Sequence, residues 1–206
     1  MKNILSKYSL QKGFTLVELL IVIGLLGAIA LIVIAAINPI EQSNRARDAR
    51  FNADGGQMIS AIERYFASHS KFPWEGCAAA GCTSGSEAAF GFQAAGTEAV
   101  GLCGASCAAA GLLVSNDELK TEFLGRDWVS GATADKQIQV GKAAGSSASV
   151  YACYIPLSKS TRDKALTANK VHSLGFAANG TVATTNACTS ASDNWTANAC
   201  YVCIPE

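Results

Sequence analysis

The sequence predicts an α+β fold, in which a long N-terminal membrane-spanning α-helix continues into an amphipathic helix packed on a C-terminal antiparallel β-sheet. Three observations carry this. Residues 14–37 are apolar except for Thr15 and Glu18. Apolar residues then recur near helical spacing from Phe51 to Phe66, and from Gln137 onward short β-like runs alternate with turn residues. The expected regions are a leader at 1–13, a membrane and assembly helix at 14–37, an amphipathic helix at 38–74 and a disulfide-rich globular head at 75–206.

The leader carries Lys2, Lys7 and Lys12 and no acid. Basic residues beside an apolar span hold that end in the cytoplasm, which places the rest of the chain outside. The twenty-four residues of the span rise about 36 Å as a helix, enough to cross a hydrocarbon core of roughly 30 Å with some tilt. Its side chains are apolar all round, unlike those of an amphipathic surface helix. A secretory signal is also basic and then apolar, but its apolar part runs only about 7 to 15 residues before a small-residue cleavage site. This run is longer, so processing is expected before it, at Lys12-Gly13.

Glu18 is the only acid in the span. A carboxylate near bilayer depth costs on the order of 3 kcal/mol and calls for a partner. Cleavage after Gly13 would create one, since the new α-amino group of Phe14 lies about one turn from Glu18 in its own subunit and within reach of a neighbour's Glu18 in a bundle. Gly24, Gly27 and Ala28, with Ala35 and Ala36, put small residues along the helix, and Gly24 with Ala28 fits a contact that lets helix backbones approach closely.

The stretch KGFTLVELLIVIGLLGAIA closely resembles the N-terminal signature of type IV prepilins and of the related pseudopilins of type II secretion. The resemblance is strict from Lys12 to about Ala30 and looser along the helix to about Pro73. It implies that a prepilin peptidase cuts between Gly13 and Phe14 and N-methylates Phe14, and that Glu18 serves methylation and docking into the filament. It further implies a homo-oligomer or hetero-oligomer with other pilins, engagement with a pilus or secretion assembly platform, residence in the cytoplasmic membrane and later display at the cell surface.

Asn38-Pro39 interrupts the helical pattern, because proline lacks a backbone donor and disfavours helix in the residue before it. A kink is expected there, or a restart with Asn38 as cap and Pro39 as first helical residue. Beyond it the charged segment with Arg45, Arg47 and Arg50 interleaves Glu41, Asp48 and Asp54, which reads as a solvated or subunit-pairing face rather than a nucleic-acid site. Phe51, Met58, Ile59, Ile62, Tyr65 and Phe66 form the stripe that faces the head. Gly55 and Gly56 weaken this helix by about 1 kcal/mol each relative to alanine, a candidate flexible point. Pro73 ends it, and His69 reads as a polar surface residue.

All eight cysteines, Cys77, Cys82, Cys103, Cys107, Cys153, Cys188, Cys200 and Cys203, lie in the head. An even number outside the cytoplasm predicts disulfides. The expected links are Cys77 to Cys82 and Cys103 to Cys107, with the C-terminal cysteines tied into the sheet. Zinc at Cys200-x-x-Cys203 and Cys77-x4-Cys82 is the weaker reading, because no histidine flanks these pairs. Residues 75–114 are rich in Ala, Gly, Ser and Cys and read as a long fastened loop, with a short helix expected from Asn116. Strands are expected at 137–140, 149–157, 171–177, 180–185 and 199–204. Asn179-Gly180 marks a hairpin, because both residues tolerate positive φ. Asp193 and Asn194 in the last loop are too few oxygens to assert a calcium site.

Removal of the leader shifts the formal balance from 16 basic and 16 acidic residues to 13 and 16. That argues against general nucleic-acid binding. Two distant histidines, and neither a serine elbow nor a phosphate-cradling loop, leave no catalytic constellation, cofactor or metal site to assign. The expected function is a structural filament subunit; the alternative is a single-pass anchored binding domain whose cysteine-rich head captures a ligand or metal and never polymerises.

Overall fold

The computed structural model describes residues 13–36, 38–77, 81–105 and 107–205. The leader lysines Lys2, Lys7 and Lys12 and the last residue of the expected span, Ile37, lie outside the described residues. The described chain divides into two compact units, up to Ile40 and from Glu41 onward.

The first unit is α1 (Leu16–Ala36), followed by Asn38 and the start of α2 (Pro39–His69). Pro39 is the first residue of α2, where the missing donor costs nothing. Residues 16–34 of α1 form one helix long and apolar enough to cross a membrane.

In the second unit, β1 (Phe90–Ala94), β2 (Ile138–Lys142), β3 (Val150–Tyr154) and β6 (Val202–Ile204) make an antiparallel sheet in the order β1-β2-β3-β6. A hairpin of β4 (His172–Phe176) and β5 (Val182–Thr184) joins β6 through a bridge between His172 and Tyr201. Alternate side chains of β3 feed two cores. Val150, Ala152 and Tyr154 join Phe51, Met58, Ile62 and Tyr65 of α2 in the first, with Trp74, Trp128 and Val140. Cys153, followed by Ile155, joins Trp195, Val182 and Cys200 in the second. Helix α2 approaches the sheet closely at Gly55, where an added Cβ would lie 3.0 Å from Ile204 Cδ1 and 3.3 Å from Ala152 Cβ. Gly55 is therefore a packing residue rather than the flexible point read from the sequence.

A run of stacked rings closes the far end of α2 onto the sheet. Phe66, Phe72, Trp74 and Phe90 stand at successive centroid spacings of 4.3, 4.8 and 4.2 Å. Residues 75–114 are thus more than a fastened loop. They supply the edge strand β1 and bury Phe90, Val100, Leu102 and Leu113 in the main core. The short helix α3 (Leu112–Ser115) precedes Asn116 instead of starting there, because Asn116 caps its C-terminal end. A second helix not expected from the sequence, α4 (Lys159–Thr167), follows β3. In the β4–β5 hairpin Gly180 takes a positive φ and Asn179 does not, so the turn runs from Ala177, whose carbonyl accepts from Gly180 N.

The cysteines pair as Cys77–Cys82, Cys103–Cys107, Cys153–Cys203 and Cys188–Cys200, and none is free. Cys153–Cys203 links facing residues of β3 and β6.

Candidate functional site

The N-terminal helix begins with a reciprocal cap. Glu18 N donates to Thr15 Oγ1 at 3.2 Å, while Glu18 Oε2 accepts from Thr15 N and Thr15 Oγ1, both at 2.9 Å. This is the capping box that a Thr-x-x-Glu spacing allows, and it satisfies donors that a helix start otherwise leaves open. The spacing was readable in the sequence, yet Thr15 stands out only once the geometry is seen. Phe14, next to the cap, is 87% exposed.

Along α1 the described side chains from Leu16 to Ile34 are exposed. Gly24 and Gly27 have nothing within 4 Å of an added Cβ, and Ala28 is exposed beside them. Among the described residues the helix therefore presents an exposed apolar surface, with one carboxylate at its start. Among the described residues no cation pairs with Glu18. Chemically, the arrangement can hold one negative charge at the top of an apolar rod, where a cation brought by cleavage or by a neighbour would meet it.

The second unit anchors α2 through acids near its start. Glu41 accepts from Lys159 N at 3.0 Å and Ser160 N at 3.2 Å, the first turn of α4, and pairs with Arg45 at 3.1 Å. The Lys159 N–H, foremost, holds the Glu41 carboxyl below its usual range. Asp48 is buried and accepts from Leu157 N at 3.0 Å and Ser158 N at 2.9 Å. Ser158 caps α4 in turn, its hydroxyl accepting from Thr161 N. Arg47 donates to Ile155 O, Asp135 O and Asp48 and lies 4.0 Å over the Phe51 ring. Burial pushes the Arg47 guanidinium down. The solvated face read from this segment holds for Arg45 and Arg50, but Arg47 and Asp48 point inward. Asp54 is also buried, accepting from Trp128 Nε1 at 2.9 Å and pairing with Arg126.

Other polar groups brace the head. Lys142 is fully buried, donates to the carbonyls of Ser86, Ala143 and Gly145, and sits 5.0 Å over the Phe72 ring; burial lowers its pKa. His69 stacks on Tyr65 at 4.2 Å, at the surface. In the last loop Asp193 Oδ2 accepts from Thr189 N and Ser190 N, and Asn194 Oδ1 accepts from Ala197 N, so these oxygens brace backbone. Among the described residues no group of three His, Cys, Asp or Glu side chains converges as a metal site.

Comparison with known proteins finds one family motif at the N-terminal end of the chain. Residues 8–34 match the prokaryotic N-terminal methylation motif. A type IV major pilin protein of Neisseria gonorrhoeae is 37% identical over 65 residues, 32% of this chain and 38% of that protein. A fimbrial protein of Neisseria meningitidis is 34% identical over 76 residues, 37% of this chain and 44% of that protein, and the fimbrial protein EcpC of Eikenella corrodens is 38% identical over 69 residues, 34% and 44% respectively. The matches thus span less than half the length of these relatives. No solved structure matches the chain.

Proposed function

We propose, on the premise that this chain belongs through its N-terminal segment to the type IV pilin family of structural, non-enzymatic proteins, that it is a filament subunit of a pilus or pseudopilus. It is inserted in the cytoplasmic membrane with its N-terminus inside, cleaved between Gly13 and Phe14 by a prepilin peptidase, methylated on the Phe14 amine and polymerised with its head outside. The observation that carries this is α1 itself: an uncovered apolar helix with one carboxylate, Glu18, held at its first turn by Thr15.

The physical logic is charge placement. An amine made at Phe14 stands one residue before the cap, and pairing it with Glu18 cancels both charges in a dry bundle. Loss of one partner of such a pair costs about 3–5 kcal/mol. Gly24, Gly27 and Ala28 supply the close approach that helices in a bundle need, since apolar burial alone does not drive association between apolar helices in lipid. Four disulfides suit a head outside the cytoplasm.

Mass spectrometry of the purified chain should find N-methyl-Phe14 at its start; an intact Met1 or a cut after Ala36 would sink the proposal. Glu18→Ala should insert in the membrane as the parent does and fail to enter filaments. Normal incorporation of that variant would remove the assembly role of the acid.

A further inference from the structure

The head carries two Asn-x-Thr triplets, Asn179-Gly180-Thr181 and Asn194-Trp195-Thr196. This is the acceptor pattern for sugar transfer to an asparagine amide in exported proteins. The structure treats the two differently. Asn179 and Thr181 are exposed at the tip of the β4–β5 hairpin. Asn179 Oδ1 accepts from Thr181 Oγ1 at 2.7 Å and Thr181 N at 3.2 Å, which fixes the carboxamide by its oxygen. Among the described residues no acceptor takes its Nδ2. Beside it lies an open cleft of about 660 Å³, lined by Ala89, Ala144, Ser147, Tyr151 and Phe176.

Asn194 sits inside the loop closed by Cys188–Cys200. Its Oδ1 is taken by Ala197 N rather than by its own threonine. The middle residue, Trp195, is fully buried and donates from its ring to Ser190 O at 3.0 Å. A transferase cannot draw that segment into its own site without unpacking the second core. The hairpin tip needs no such opening, because Ala178, Asn179 and Thr181 are all exposed.

We propose that Asn179 is an N-glycosylation site and that Asn194 is not. The donor is a lipid-pyrophosphate-linked sugar met outside the cytoplasm, so the inference rests on the topology proposed above. Asn179 Nδ2 bonds to the sugar C1 as the C1–O bond to the pyrophosphate breaks. The pyrophosphate leaves with the bonding electrons, and Nδ2 gives up one proton to a base of the transferase. Thr181 is the positioning residue, since its hydroxyl holds the amide oxygen.

The test is peptide mapping by mass spectrometry of the full chain purified from its own cells. The expected result is a sugar-bearing peptide containing Asn179, a bare peptide containing Asn194, and complete loss of the sugar in Asn179→Gln and Thr181→Ala with retention in Thr181→Ser. A bare Asn179, sugar on Asn194 instead, or sugar attached only to serine or threonine oxygen overturns the assignment. The same spectra report N-methyl-Phe14, so a methylated chain with a bare Asn179 refutes this inference alone, whereas an intact Met1 beside a sugar-bearing Asn179 refutes the proposed processing and leaves this inference standing.

Discussion

Two adjacent glycines in α2 give the sharpest check on how that helix meets the sheet. Replacing glycine by alanine inside a helix gains about 1 kcal/mol from backbone entropy, and this gain applies equally at Gly55 and Gly56. The surroundings differ. A Cβ on Gly56 meets nothing within 4 Å, whereas one on Gly55 lies 3.0 Å from Ile204 Cδ1 and 3.3 Å from Ala152 Cβ. Ile204 Cδ1 ends a flexible side chain and can give way, but the Ala152 methyl is fixed to β3. Forcing a methyl into such a contact costs about 1–3 kcal/mol. Gly56→Ala should therefore stabilise by about 1 kcal/mol, raising Tm by about 2–4 °C for a chain of this size, while Gly55→Ala should lie between no change and a loss of about 2 kcal/mol. Gly55→Val adds two further methyls against the same wall and should be worse than either. The assay is thermal unfolding of the oxidised chain in detergent, followed by near-ultraviolet circular dichroism of Trp74, Trp128 and Trp195, each at most 1% exposed. Equal stabilisation by both alanines would refute the close approach of α2 to β3 and β6.

Asp48→Ala should lower stability by about 3–5 kcal/mol in urea unfolding, because it leaves the Arg47 guanidinium and the N–H groups of Leu157 and Ser158 without their acceptor. Paired Cys→Ala removals should rank by loop length, about 4 kcal/mol for Cys153–Cys203, about 3 for Cys188–Cys200 and about 2 for either local pair, and a larger loss at Cys77–Cys82 than at Cys153–Cys203 would contradict that ordering. Burial pushes the His172 imidazole below 6.5. The unfolded chain then binds the extra proton first, so stability should fall as pH drops below about 6.5, and His172→Phe should flatten that slope. Glu41, Glu87 and Asp193 also have depressed values, but their contribution is lost only as pH falls below about 4.5.

The strands with clear alternation were legible in the sequence. Val150–Tyr154 sends alternate side chains into two cores, which is why a run of apolar residues around it reads as a strand. β1 was not legible, because FGFQA mixes glycine, alanine and glutamine and sits in a stretch of small residues; its strand state depends on pairing with β2. α4 has only Ala165 buried and so shows no apolar stripe to read. It is held by tertiary contacts instead, namely its cap at Ser158 and the carboxylate of Glu41 118 residues away in sequence. Arg47 and Asp48 were misread because charge alternation resembles a solvated face. Arg47 lies four residues before Phe51, however, and that spacing puts both on one side of the helix. The disulfide partners at the C-terminus depend on which strands become neighbours, and spacing carries no such information.

If the proposed processing takes place, Glu18 meets two demands at different stages. In the described chain its carboxylate is held by two donors of Thr15, which starts the helix and leaves the charge partnered. A helix cap of this kind contributes about 1 kcal/mol. A charge pair in a dry bundle is worth more to keep intact, since its disruption costs about 3–5 kcal/mol. Under the proposed cleavage, the Phe14 amine arrives one residue before the Thr15 cap and supplies the same carboxylate with the opposite charge that the neutral Thr15 donors do not. The capping box then acts as a holding arrangement: it aims Glu18 back toward the chain start, where the amine will appear, before any amine exists to attract it.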